Sequence, residues 1–124
     1  MLEPGQPNAL YHSETGEESF LVLAGECLLL VEGEERRLRA WDFVHCPPET
    51  AHVFVGAGDG PAVVLMVGAR PEDETLRYPV SDLARAYGAS VEQESASPEE
   101  AYSSVGATPP EPGRPRSWEE LPWA

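Results

Sequence analysis

Residues 12–18, "HSETGEE", and 45–52, "HCPPETAH", hold the side chains best suited to chemistry in this chain. His12 and Glu14 are two residues apart, so on an extended strand they project to the same side. Glu18 follows a short Thr-Gly-Glu stretch that can turn the chain back as a hairpin. From Glu18 onward, Phe20, Val22 and Ala24 share its face, the pattern of a carboxylate turned toward a core. His52 opens a later strand after a Pro-Pro-Glu-Thr-Ala corner. An imidazole in an apolar run needs a partner for each nitrogen, or a metal on one of them. Two imidazoles with one or two carboxylates from neighbouring strands form a donor set for a divalent metal. The two-histidine, one-carboxylate version leaves coordination positions open.

His45 shares a face with Phe43 and Pro47 by the two-residue period. That makes it, with Cys46, a candidate for the substrate side or for support behind the ligands, not for ligation itself. Tyr11 faces away from His12 and reads as packing. No catalytic residue is assigned from the sequence.

The elements that must hold these residues are short. "FLVLAGECLLLVEGEERRLRAWDFVHCPP" reads as strands broken by Gly25, by a Glu32-Gly33-Glu34 hairpin turn and by proline. Ala51–Val55 and Ala62–Val67 continue the series across a Gly-Ala-Gly-Asp-Gly-Pro connection. Evenly spaced short strands with glycine and proline punctuation predict an all-β antiparallel sandwich or barrel. Helix is expected only after residue 80. Ser81 caps one that ends at Gly88, and Ser97 caps another with Pro98 at its first position. The predicted organisation is a barrel core over residues 1–70, a helical extension over 71–108 and a proline-rich arm over 109–124. With Trp118, Leu121 and Trp123, the arm is too apolar to float free and is expected to lie on this barrel or on a partner's. Few residues precede His12, so an uncovered sheet edge is expected at the start of the chain.

The 124 residues suit one domain with a real core. With 22 acidic against 8 basic residues, the formal charge is −14, and every basic residue is an arginine. Such a surface repels phosphate backbones and anionic membranes, so neither nucleic acid nor membrane is an expected partner. The longest apolar run, Cys27–Val31, is far short of the ~20 residues that span a bilayer. No charged-then-apolar leader is visible, and a cytoplasmic protein is expected. Cys27 and Cys46 fall in apolar runs and read as buried reduced thiols, with no C-x-x-C spacing for zinc or redox chemistry. No nucleophile elbow or phosphate-cradling loop precedes a helix, and "GAGDGP" reads as a connection between strands.

The spacing resembles that of the small single-domain cupins. In the family's first motif, G-x5-H-x-H-x3,4-E-x6-G, Gly25 is the closing glycine, Glu18 the glutamate and His12 the first histidine. Glu14 stands in place of the second histidine, and Gln6, beside Gly5, in place of the opening glycine. The second motif, G-x5-P-x-G-x2-H-x3-N, is met by Pro47 and His52, with Trp41 and Glu49 replacing its glycines and Gly56 its asparagine. The resemblance covers about residues 5–68. It implies a double-stranded β-helix (jelly roll), to which the short C-terminal helices and the extended proline-rich arm read above are appended. It also implies one divalent metal ion held by His12, Glu14, Glu18 and His52. A carboxylate in place of an imidazole hardens the site toward iron or manganese, with zinc and nickel the softer choices. Cupins span many chemistries. The expected functions are therefore a metalloenzyme acting on a small organic molecule and, alternatively, a non-catalytic domain that binds or senses a small ligand. A homodimer is expected from the open edge and the arm.

Overall fold

The computed structural model describes residues 1–109; the expected arm over 109–124 lies outside the described residues beyond its first position. Among the described residues, the turns and alternating apolar residues produce eight strands and two short helices. In chain order these are β1 (Ser13–Glu14), β2 (Glu18–Ala24), β3 (Glu26–Val31), β4 (Glu34–Arg39), β5 (Phe43–Cys46), β6 (His52–Ala57), β7 (Val63–Gly68), β8 (Leu76–Arg77), α1 (Asp82–Arg85) and α2 (Pro98–Ser104). Two antiparallel three-stranded sheets, ordered β5-β2-β7 and β4-β3-β6, face one another, and β1 pairs with β8 beside them. The expected all-β jelly roll is what the chain forms.

Local chemistry explains the register. Glu32 and Gly33 have φ of 48° and 80°, both in the left-handed region that a two-residue hairpin between β3 and β4 requires. Gly25, at φ 71°, carries the chain from one sheet to the other, and a Cβ there would lie 2.4 Å from the Pro61 carbonyl oxygen. Phe20 and Phe54, from opposite sheets, pack with ring centroids 4.6 Å apart. Val22, Cys27, Leu29 and Cys46 complete the core around them. Both cysteines are free and buried, and burial pushes each thiol up to about 11.

The outer face of β4-β3-β6 is closed by the chain on either side of the two sheets. Leu30, Val53 and Val55 are buried against Tyr11, Ala84 and Ala89. Leu10, Tyr78, Val91, Ala101 and Tyr102 form a further cluster. The helices start at the expected serines: Ser81 Oγ accepts from the Ala84 amide at 3.1 Å, and Ser97 Oγ from the Glu100 amide at 3.3 Å. α1 is shorter than expected, ending at Arg85 before a turn that closes through Gly88 at φ 70°.

The start of the chain covers the edge of β6, which corrects the sequence expectation there, while β4, β5 and β7 keep unpaired outer edges among the described residues. Residues 2–8 run along β6, with bridges from Leu2 to Ala62 and from Pro7 to Val55. The Gly5 amide donates to the Gly56 carbonyl, and the Gly56 amide to that of Gln6. This approach requires the glycine: a Cβ at Gly56 would sit 2.1 Å from the Glu3 carbonyl oxygen. Gly56 stands where the motif has asparagine, so that departure is what admits the covering segment.

The other two departures hold glycine-like backbone without glycine. Trp41 has φ 76° and Glu49 has φ 65°, both at motif glycine positions. A side chain in the left-handed region costs about 1–2 kcal/mol, partly offset when glycine is introduced because glycine loses about 0.5–1 kcal/mol more on ordering. Glu49 is exposed, and the hydrogen bond that its main-chain amide donates to the Glu14 carbonyl oxygen, 2.7 Å, survives substitution. Glu49→Gly should therefore stabilise the fold by about 0.5–1 kcal/mol in urea denaturation, while Glu49→Ala should not. A less stable glycine variant would show that the turn is not strained.

Candidate metal centre

His12, Glu18 and His52 reach one place from three segments. The chain before β1 exchanges two main-chain hydrogen bonds with the first residue of β6: His12 N to His52 O at 3.2 Å, and His52 N to His12 O at 2.9 Å. The two rings then lie side by side, with centroids 5.3 Å apart. Glu18 opens β2 in the facing sheet and shares its inward side with Phe20, whose ring meets the His52 ring edge-on at 5.2 Å. The ligand atoms of His12, Glu18 and His52 all lie within 4.8 Å of one another, the group of this kind found among the described residues.

The hydrogen bonds set the chemistry of the rings. His12 Nδ1 is 2.7 Å from the Leu10 carbonyl oxygen, and His52 Nδ1 is 2.9 Å from that of Thr50. A carbonyl only accepts, so each Nδ1 carries hydrogen, which leaves Nε2 as the nitrogen that offers a lone pair in the neutral ring. Burial, above all, holds His12 below the ordinary histidine value, which keeps it neutral. His52 Nε2 lies 3.0 Å from Glu18 Oε2, yet this oxygen is buried and makes no aligned hydrogen bond. With Nδ1 committed to a carbonyl, a neutral His52 brings a second electron pair to this oxygen, a contact that only a proton or a cation between the two atoms relieves. A cation shared among them satisfies all three groups, so the residues present suit a divalent metal.

Glu14 stands next to this group. It is only 8% exposed and faces Glu18 and Glu74. Burial and these two carboxylates push Glu14 up to about 8, so it bears a proton at neutral pH. For Glu18, burial acts upward, but a hydrogen bond from His52, one from the Glu14 carboxyl and positive charge on the two imidazoles outweigh it and hold the group down to about 2, so its charge is kept only with a proton or a cation on the facing nitrogens. One acid keeps its proton and its neighbour keeps its charge.

His45 and Cys46 part company. Cys46 points inward as the register partner of Glu18. His45 lies on the outer face, away from the three ligand atoms, with Nδ1 3.1 Å from Ser19 Oγ and Nε2 3.7 Å from Glu17. Two residues beside the centre escaped sequence reasoning. Glu74 Oε1 is buried without a partner and turned inward, although "PEDET" reads as a solvated acidic run. Tyr78 packs its ring on His12 at 5.8 Å. No sequence signal places either one there.

Two cavities approach the group. One of about 470 Å³ opens beside Glu14 and is lined also by Thr15, Glu49, Thr75 and Arg77. Another, of about 670 Å³, lies between the unpaired edges of β4 and β5. Val31 and Cys46, the register partners of His52 and Glu18, line it, together with Leu29, Arg36 and Thr50 and, from β5, Phe43 and His45.

Comparison with known proteins agrees with this geometry. No curated protein sequence matches significantly. Among solved structures, a cupin-superfamily sugar phosphate isomerase from Silicibacter pomeroyi is 32% identical, with a TM-score of 0.60 over 65% of this chain and 54% of that one. A putative sugar phosphate isomerase from Acidithiobacillus ferrooxidans is 30% identical, with a TM-score of 0.57 over 60% and 49%. A cupin protein from Bacteroides fragilis is 25% identical, with a TM-score of 0.53 over 58% and 62%. The chain thus spans about half the length of the two isomerases. The family model of the cupin domain matches residues 1–68, the stretch that builds both sheets and holds all three converging side chains, and the chain belongs to the cupin family.

Proposed function

We propose that this cupin is a metal-dependent enzyme acting on a small hydroxylated organic substrate, with isomerisation of a sugar phosphate the first reaction to test. The observation that carries the reading is the convergence of the His12 and His52 Nε2 lone pairs on the buried, unpartnered Glu18 oxygen. The two isomerases with related folds supply the substrate class.

His12, His52 and Glu18 would hold one divalent ion, with Glu14 as a neighbour instead of a fourth ligand. When bound, the ion supplies Lewis acidity toward a carbonyl or hydroxyl oxygen. One carboxylate and two imidazoles accept iron or manganese as well as zinc or nickel. Glu14 holds its proton beside a cavity and is placed to pass it to or from a molecule bound there. Tyr78 packs on His12 and steadies its ring. In the wider cavity, Leu29 and Val31 limit water, while Thr50 and Arg36 offer hydrogen bonds. The same reading has the chain acting as a homodimer in the cytoplasm, with a small molecule and neither nucleic acid nor membrane as its partner. The net charge of −14 supports both exclusions.

Metal content should follow the geometry. In protein purified without a histidine tag, elemental analysis should give about one equivalent of metal for the unaltered chain and for His45→Ala, and little for His52→Ala or Glu18→Gln. Glu14→Gln should keep its metal; if it loses the metal, Glu14 is a ligand, as its motif position implies.

Catalysis is tested separately. The metal-loaded chain, incubated in deuterium oxide with a panel of aldose and ketose phosphates, should place deuterium next to the carbonyl carbon and interconvert the isomers, as followed by NMR. Glu14→Gln should slow exchange at least tenfold while metal stays bound. A fully loaded protein that binds these sugars without exchange would instead support a non-catalytic binding or sensing domain.

A further inference from the structure

The short ladder of β1 and β8 has two unlike faces. Glu14 and its register partner Leu76 turn inward, while Ser13 and its partner Arg77 turn the other way. The next step of the chain adds Thr15 and Thr75 to that outer face. The Thr15 amide donates to the Thr75 carbonyl at 3.1 Å, and Thr15 Oγ1 accepts from the Thr75 amide at 3.0 Å, which leaves the Thr15 hydroxyl hydrogen to donate elsewhere. Two rows about 7 Å apart along the strands thus place three hydroxyls and one guanidinium on the cavity of about 470 Å³ beside Glu14.

We infer that this cleft is an anion subsite that takes the phosphate group of the substrate, with Arg77 as its fork and Ser13, Thr15 and Thr75 as hydroxyl donors. The inference rests on the sugar phosphate reading above and gives that substrate a place. The phosphate lies on the outer face of the ladder, and the carbon chain extends toward Glu14.

Charge separates the two cavities. A chain of net charge −14 repels anions, so holding one requires cationic and hydroxyl donors gathered at close range. In the wider cavity, Arg36 is already paired with Glu34 at 2.6 Å, and Glu32 and Asp42 line the same space. Beside Glu14, Arg77 Nε meets Glu94 only at 3.7 Å, beyond hydrogen-bond distance, with both side chains more than half exposed. Such a contact is weak. The planar fork is therefore available to a phosphate, which it can grip through two parallel N–H···O bonds. Glu49, which is exposed, is the lining acid besides Glu14. Thr75 and Arg77 lie beyond residues 1–68, where the match to the cupin domain ends. The subsite thus comes from outside the part of the chain that makes the common fold, which by itself specifies no substrate.

Amide chemical shifts of the isotope-labelled full chain, followed as inorganic phosphate is added through the millimolar range, test the subsite without any turnover. The amides of Ser13, Thr15, Thr75 and Arg77 should shift together, in metal-stripped and zinc-loaded protein alike. Arg77→Gln should weaken phosphate binding about tenfold or more, and Arg77→Lys less, since an ammonium keeps the charge and loses the fork. Glu94→Gln should tighten binding about twofold to threefold by removing the competing charge. Arg85→Gln, on α1 where that arginine pairs with Asp82, should leave it unchanged. In the deuterium exchange assay, Arg77→Gln should raise KM for aldose phosphates about tenfold while kcat stays within about threefold. The subsite is overturned if no phosphate binds, if the shifts fall elsewhere, or if phosphate binds only the zinc-loaded form and equally well in Arg77→Gln. Isomerisation with an unaltered KM in Arg77→Gln also overturns it, while the isomerase reading stands. Phosphate held through Arg77 without any isomerisation supports the subsite and contradicts that reading.

Discussion

The paired main-chain hydrogen bonds between His12 and His52 are the constraint on which the centre depends. They fix the segment before β1 against β6 and set the two imidazoles side by side. With each Nδ1 committed to a carbonyl two residues back, both rings present the same nitrogen. Everything upstream serves that pairing. Residues 2–8 lie along β6 because Gly56 leaves room for their backbone, and Asn8 clamps the register by accepting from the Phe54 amide at 2.8 Å.

The facing sheet contributes the charge. Placing an ionised carboxylate in an apolar barrel is costly unless something nearby compensates. Glu18 is 15% exposed at its side chain, and its buried oxygen lacks an aligned donor even though His52 Nε2 is close. Glu14 keeps its proton and so adds no second charge at neutral pH. Such an arrangement is poor as a hydrogen-bond network and good as a cation site. That contrast, and not the motif alone, gives the centre its physical meaning.

Much of this was legible in the sequence, and the limits have definite causes. The two-residue strand period fixes that Glu18, Phe20 and Val22 share a side, and that Phe43 and His45 share one. It does not say which side is inward. Only the register Ser19↔His45 and Glu18↔Cys46 puts Cys46 inside and His45 outside. The capping serines at 81 and 97 were readable because a cap is a local interaction. Glu74 and Tyr78 were not readable, since each reaches the centre across about sixty residues of chain through the pairing of β8 with β1 and the packing around it. Trp41 and Glu49 look like lost motif glycines in the sequence, yet their φ values show the turn geometry retained at a cost in strain. Gly56, read as a departure, turned out to be the condition for covering the β6 edge.

We propose that His12, Glu18 and His52 enclose one divalent cation. The most direct measurement is a crystal structure of the protein grown with manganese or zinc, with anomalous data collected on both sides of the metal's absorption edge. A single strong anomalous peak is expected, bonded to His12 Nε2, His52 Nε2 and a Glu18 carboxylate oxygen, at about 2.0–2.2 Å for zinc. Both Nδ1 atoms should remain on their carbonyls. A structure with no peak there, and with Glu18 instead hydrogen-bonded directly to a protonated His52, would contradict it.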